Sequence, residues 1–356
     1  MNMTNLTIDT QAMTDFLVGL LDVPSPTGYH REAIAYTRAA FEELGIGELT
    51  LEETKKGALL MTWRGDSDEA PVGLTAHIDT LGFMVKQIMG DGLLKLSSLG
   101  GIMWPGTEFE NCTVRTHDDR RFRGTIMLND PSVHVNRNAS TEKRNEDTMR
   151  LRLDAKLDNA DDVRKLGVEV GDFVFLDPRV EVTDRGFIRA RFLDDKASVA
   201  CIYGALKAMK DAGKRPSQDT AILISNYEEV GHGASAGWPR ELCELVSIDM
   251  GAIGSSQNSD EYSVSICVKD GGGPYHFDMN NKLRRLATEH NIQHKIDIYV
   301  YYASDGTAFW RAGGDAKVGL IGPGVASSHG YERTHQDALV HSAHLIARYL
   351  LDADPA

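Results

Sequence analysis

Five short polar clusters, each closing an apolar run, hold the residues in this chain whose types and spacing can do chemistry. They are Ala76-His77-Ile78-Asp79, Leu193-Asp194-Asp195, Tyr227-Glu228-Glu229-Val230-Gly231, Ile248-Asp249 and Thr334-His335. Together they supply two histidines and a set of carboxylates, enough to hold two divalent metals with one carboxylate shared, and a glutamate left over as a base. Metal-assisted hydrolysis needs that combination: nitrogen and oxygen donors around the ions, open positions for water and substrate, and a group that moves a proton. Alternation along a strand puts His77 and Asp79 on one face, so Asp79 is placed to accept the second ring N–H of His77 and fix its tautomer. Glu228 and Glu229 are adjacent at the end of a buried run and point in different directions, one toward metal and the other toward substrate. Asp194-Asp195 alone would equally suit the start of a helix, where acidic groups complement the macrodipole. Asp249 alone would suit a turn. The five clusters weigh jointly.

Composition narrows the field. The chain has 356 residues, 42% hydrophobic and 25% charged, an ordinary soluble balance with room for one large domain and an insertion. A net charge of −14 speaks against nucleic acid or an anionic membrane as partner. No apolar run approaches a membrane span, and Met1 to Thr10 has neither a basic start nor an apolar core, so a cytoplasmic location is expected. The four cysteines are scattered and read as reduced thiols rather than a disulfide framework. No Gly-x-Ser-x-Gly elbow and no phosphate-binding glycine loop is present.

The clusters must be positioned by regular elements. Val72 to Ile78, Ala221 to Ser225, Leu242 to Ile248 and Val318 to Ile321 read as short buried strands. Thr14 to Leu21, Tyr29 to Leu44 and Asp195 to Ala212 carry helical periodicity. Alternation of the two predicts an α/β fold, a mixed sheet sandwiched by helices. His77-Asp79, Glu228-Glu229 and Asp249 then lie at carboxyl ends of strands, the edge where open α/β sheets bind ligands. From about Gln87 to Arg185 the pattern changes to short β-branched runs such as Cys112 to Arg115, Gly124 to Leu128 and Asp172 to Leu176, with a polar loop over Asn129 to Met149. The expected organisation is a discontinuous catalytic domain, 1–86 and 186–356, carrying a small β-rich inserted domain at 87–185.

The order His-x-Asp, Asp-Asp-Lys, Glu-Glu-Val-Gly, Asp, His, with an inserted β domain and Val170-Gly171-Asp172-Phe173-Val174 before the return, resembles the tetrahedral aminopeptidases over nearly the whole chain. These are dinuclear-metal peptidases that include glutamyl and deblocking aminopeptidases. The resemblance implies that His77 and Asp249 hold one metal, Glu229 and His335 the other, that Asp194 bridges them, that Glu228 is the general base and that Asp79 supports His77. It implies Zn2+ as the metal, with Co2+ or Mn2+ as alternatives, short peptides as substrates, and a hollow homododecamer built from dimers of the inserted domain. Gly271-Gly272-Gly273-Pro274 and Ser304-Asp305-Gly306 are similar to family elements near the site, which makes Gly273, Pro274 and Asp305 candidates for substrate binding.

The chain departs from the family at its last histidine. The usual Tyr-x-His-Ser run is replaced by Gly330-Tyr331-Glu332-Arg333-Thr334-His335-Gln336, and the resemblance places the ligand at His335 ahead of His329. Thr80-Leu81 and Lys196 also differ from the usual residues and leave side-chain specificity open. Among family members the chain is more similar to those associated with N-acetylglutaminylglutamine amide metabolism than to general peptide scavengers. Two rival functions follow: a dinuclear-metal hydrolase of an N-acylated or modified dipeptide, and a non-catalytic peptide-binding scaffold.

Overall fold

The computed structural model describes residues 6–239, 241–354 and 356; the first five residues of the polar start lie outside that range. Its centre is a ten-stranded mixed sheet. Four strands form the parallel middle in the order Gln218–Ser225, Ser67–His77, Glu244–Ile248 and Lys317–Val325. Their apolar runs are continuous because both faces are covered, as expected of parallel strands. Leu74, Ile222, Ile224, Val246, Ile248 and Ile321 pack on one side against the helices Thr10–Leu21, Leu193–Asp211 and Gln336–Leu351. Leu223, Leu245, Val318 and Leu320 pack on the other with Trp238 and Phe309, the latter on the helix Asp305–Arg311. Antiparallel strands flank the middle: Leu59–Trp63 and Leu49–Glu53 on one side, Val264–Asp270 on the other.

The insertion is a closed six-stranded barrel with its own core around Phe83, Val85, Leu96, Val114, Ile126, Leu151 and Val174. Closure leaves it no open edge. Its first strand is Gly82–Ile88 and its last is Phe173–Leu176. The barrel thus begins five residues before the expected boundary at 87, because the chain passes from the strand Ser67–His77 into barrel pairing with only a short connection. It also ends earlier than 185. Glu181–Val182 and Phe187–Ala190 belong instead to a three-stranded sheet completed by Glu332–His335 of the larger domain. Among the described residues, no helix is long and apolar enough to cross a membrane.

Candidate metal centre

The strand order brings the clusters to one edge. His77 ends its strand beside Ser225 of the neighbouring one, and the Ile78 amide donates to the Ser225 carbonyl at 3.0 Å. Asp249 directly follows Ile248, its amide donating to Ile321 O at 2.8 Å. Asp194 and Asp195 open the helix Leu193–Asp211, but their backbone is not helical (φ/ψ of −78/101° and −122/23°), which turns both carboxylates toward the sheet edge. Glu228 and Glu229 lie on a single 3₁₀ turn, Glu228–Val230.

His77 shows what the site is built for. The ring is buried and its Nδ1 donates to the backbone carbonyl of Asp79 at 2.9 Å, which fixes the proton on that nitrogen. Nε2 then faces Asp194 Oδ1 at 3.2 Å and Glu228 Oε2 at 3.8 Å. Burial by itself lowers the pKa of His77, yet the Asp194 contact and the charges of Glu228, Asp195 and Asp249 hold it well above its usual value. Burial, reinforced by Asp249, Asp305 and Glu229, drives Glu228 far up. Glu229 is raised by burial and by Asp194, and Asp195 by burial and Asp249. Asp249 is pushed up to about 8 by burial and Asp194. Five carboxylates around one imidazole cannot all be ionised unless a further positive charge sits among them.

The donor set supplies the place for that charge. Ligand atoms of His77, Asp195 and Asp249, and again of His77, Asp194 and Glu229, lie within 4.8 Å of one another. Nitrogen and carboxylate oxygen at this spacing suit a divalent metal.

The structure brings His329, rather than His335, to the carboxylates. His329 Nε2 lies 3.6 Å from Asp194 Oδ2 and 3.6 Å from Glu229 Oε2, and its Nδ1 donates to Gly101 O at 3.0 Å. It occupies the left-handed region (φ 65°) in the loop after Val325. His335 is turned away: Nδ1 accepts from the Asp337 amide at 3.1 Å and caps the final helix, Nε2 donates to Arg185 O at 2.8 Å, and the ring packs on Phe187 and Tyr262. The expectation for His335 fails because its position at a helix start commits both ring nitrogens to backbone.

Asp79 is buried at the site in a role different from the expected one. Its carboxylate accepts from the Glu228 amide (3.1 Å), the Glu229 amide (3.4 Å) and the Thr27 hydroxyl (2.7 Å), and lies 3.7 Å from His77 Nδ1. It orients the two-glutamate turn, while its carbonyl orients His77. Asp305 lies beneath that turn, accepting from Ser225 Oγ, from Thr75 Oγ1 at 3.3 Å and from the Ala234 amide at 2.8 Å, and it is 1% exposed. Gly273 and Pro274 pair with Val264–Asp270, and neither lines the cleft over the centre. Asp305 does not line it either. His232 stacks on Tyr227.

Several partners were not legible from motifs. Glu332, buried, accepts from the Asp194 amide at 3.0 Å and the His329 amide at 3.1 Å, tying together the segments that carry Asp194 and His329. Ser328 Oγ donates to Asp194 Oδ2 at 2.9 Å. From the barrel, Gly100 (φ 74°) packs so tightly on Leu81 and the Glu229 backbone that a Cβ would clash. The cleft itself has a volume of about 450 Å³ and is walled by Met250, Ala252, Tyr301, Tyr302 and Ala303 opposite the carboxylates.

The family model for M42 glutamyl aminopeptidase matches residues 57–345, the span that carries His77, Asp79, Asp194, Asp195, Glu228, Glu229, Asp249 and His329. The chain belongs to the M42 glutamyl aminopeptidase family. YhfE of Bacillus subtilis (strain 168) is 44% identical over 93% of this chain and 95% of its own length. An aminopeptidase from the archaeon Desulfurococcus kamchatkensis has the same fold (TM-score 0.85, 20% identity, covering 97% of this chain and 96% of that one). So does the TET1 peptidase of Pyrococcus horikoshii, whose subunits assemble into a tetrahedron or a large octahedral shell (TM-score 0.82, 20% identity, 96% and 99% covered). This M42 member is a metallo-aminopeptidase, a hydrolase of peptide bonds that works with divalent metal.

Proposed function

We propose that the protein removes amino-terminal residues from short peptides with two divalent metals, zinc by the family resemblance, bridged by Asp194. The supporting observation is the placement of Asp194, one oxygen toward His77 and the other toward His329. His77, Asp249 and Asp195 would hold one ion, Glu229 and His329 the other. When bound, the pair acidifies a water and polarises the scissile carbonyl. Glu228, on the turn that Asp79 braces, accepts the water proton as the oxygen attacks the carbonyl carbon. It returns that proton to the amine nitrogen as the C–N bond breaks.

By the family resemblance, the barrel would make the dimer contacts of a homododecamer in the cytoplasm; the TET1 peptidase of P. horikoshii forms a dodecamer. Metal analysis of the purified protein, together with kcat/KM for a free tripeptide and its N-acetylated twin, tests this reading. Two equivalents of metal and preference for the free amine are expected. One equivalent at saturating zinc would remove the bridge; preference for the acetylated substrate would leave a dinuclear hydrolase that is not an aminopeptidase.

A further inference from the structure

Once the metal-binding groups and Glu228 are set aside, the rest of the cleft lining is Gly231, Met250, Ala252, Tyr301, Tyr302, Ala303 and Ser328. None is a lysine or arginine. Apart from the metals proposed above, an acidic substrate side chain would therefore find no cationic partner among the described lining residues, and burying its charge without one is costly. A basic side chain also finds no free carboxylate, since each acid in the lining is engaged as ligand or base.

What remains is an apolar wall, and it is built to stay in place. Tyr302 Oη donates to Met250 O at 3.0 Å, joining the two segments, and the Tyr302 ring packs on Tyr299 at 5.1 Å. Behind them the Gly271 amide donates to Tyr302 O at 2.8 Å, and a Cβ at 271 would press on the carbonyls of Val300 and Tyr302. The glycine run thus supports the wall without touching the cleft. Tyr301 stands at the mouth fully exposed, a ring whose apolar surface is covered only when something lies against it.

We propose that the cleft selects an uncharged, apolar amino-terminal side chain, seated on Met250, Ala252, Tyr302 and Ala303 and covered by Tyr301. Membership of a family named for glutamyl activity thus does not carry an acidic preference to this chain. The proposal rests on the aminopeptidase reading above.

The test uses the metal-loaded oligomer as purified, with the p-nitroanilides of leucine, methionine, alanine, glutamate and lysine. Leucine and methionine should exceed glutamate and lysine by at least about 100-fold in kcat/KM, and exceed alanine by about 10-fold, the scale on which buried methylenes discriminate. Tyr301→Ala should shrink the leucine-to-alanine ratio several-fold. Tyr301→Arg, at a position exposed enough to leave folding alone, should raise the glutamate-to-leucine ratio at least about 10-fold. Glutamate or lysine as best substrate, or ratios untouched by both variants, would overturn the specificity while leaving the aminopeptidase intact. No turnover of any of the five would sink both.

Discussion

Replacing Glu332 by glutamine tests how the centre is held together. The native carboxylate accepts the amides of Asp194 and His329, 3.0 and 3.1 Å away, inside the protein. In the variant one oxygen can still accept, but the NH₂ group faces an N–H that has nothing left to donate to. A hydrogen bond to a charged group contributes about 1.5–3 kcal/mol, and a buried donor left unmade costs about 1–3 kcal/mol. Relief of the repulsion between Glu332 and Asp194 offsets part of that. The remainder, about 1.5–3 kcal/mol, falls on the relative placement of the two segments that the metals join, so metal affinity should drop about 10–100-fold. Competition against a chelator with a zinc indicator reads this directly. At saturating metal, kcat should recover to within a few-fold of wild type, since Glu332 touches no reacting atom. Unchanged metal affinity in a folded variant would refute the reasoning. So would a kcat that stays low when metal is saturating.

Glu228→Gln should keep its metal and lose about 10²–10⁴-fold in kcat, the usual contribution of a general base, by stopped assay and metal analysis of the same sample. His329→Ala should lose metal with little change in the melting temperature of the metal-free protein. His335→Ala should do the reverse: metal retained, stability lower by about 1 kcal/mol from the missing helix cap. Burial lowers the pKa of His344, whose Nε2 lies 3.1 Å from Leu6 O. The folded state therefore binds this proton less well than the unfolded chain, and stability is lost as pH falls through about 6.5 toward the folded pKa. His344→Gln should flatten the fall in denaturation midpoint between about pH 7 and about pH 5; an unchanged slope would remove His344 from the account.

Most of the centre was readable in the chain because its residues sit at strand ends, where apolar runs stop abruptly at polar pairs. The buried strands announced themselves for the same reason. His329 and His335 could not be separated that way. Both follow Val325, and only the left-handed turn at His329 and the helix start at His335 decide which ring faces the acids. Asp305 carried a misleading signal: Ser304 caps its helix by accepting from Gly306, so the motif marks a fold element rather than a ligand contact. Glu332 lay in a charged run that reads as solvated surface, and only packing reveals it as buried. The barrel boundary was misplaced because Gly82–Ile88 has ordinary strand character, and nothing in its composition says which sheet it joins.

The hydrogen bond from His329 Nδ1 to Gly101 O ties the insertion to the centre. Arg191 strengthens the tie, donating to Gly106 O in the insertion and to Gly330 O beside His329. Linkage then runs both ways. If, as proposed, His329 holds an ion and a neighbouring subunit grips the barrel, steadying the barrel's rim would tighten retention of that ion, and loading the ion would return the same free energy to the grip. Dilution into monomers and stripping by chelator would then be one thermodynamic cycle, and a chimaera given a foreign barrel would inherit a different affinity for its metal.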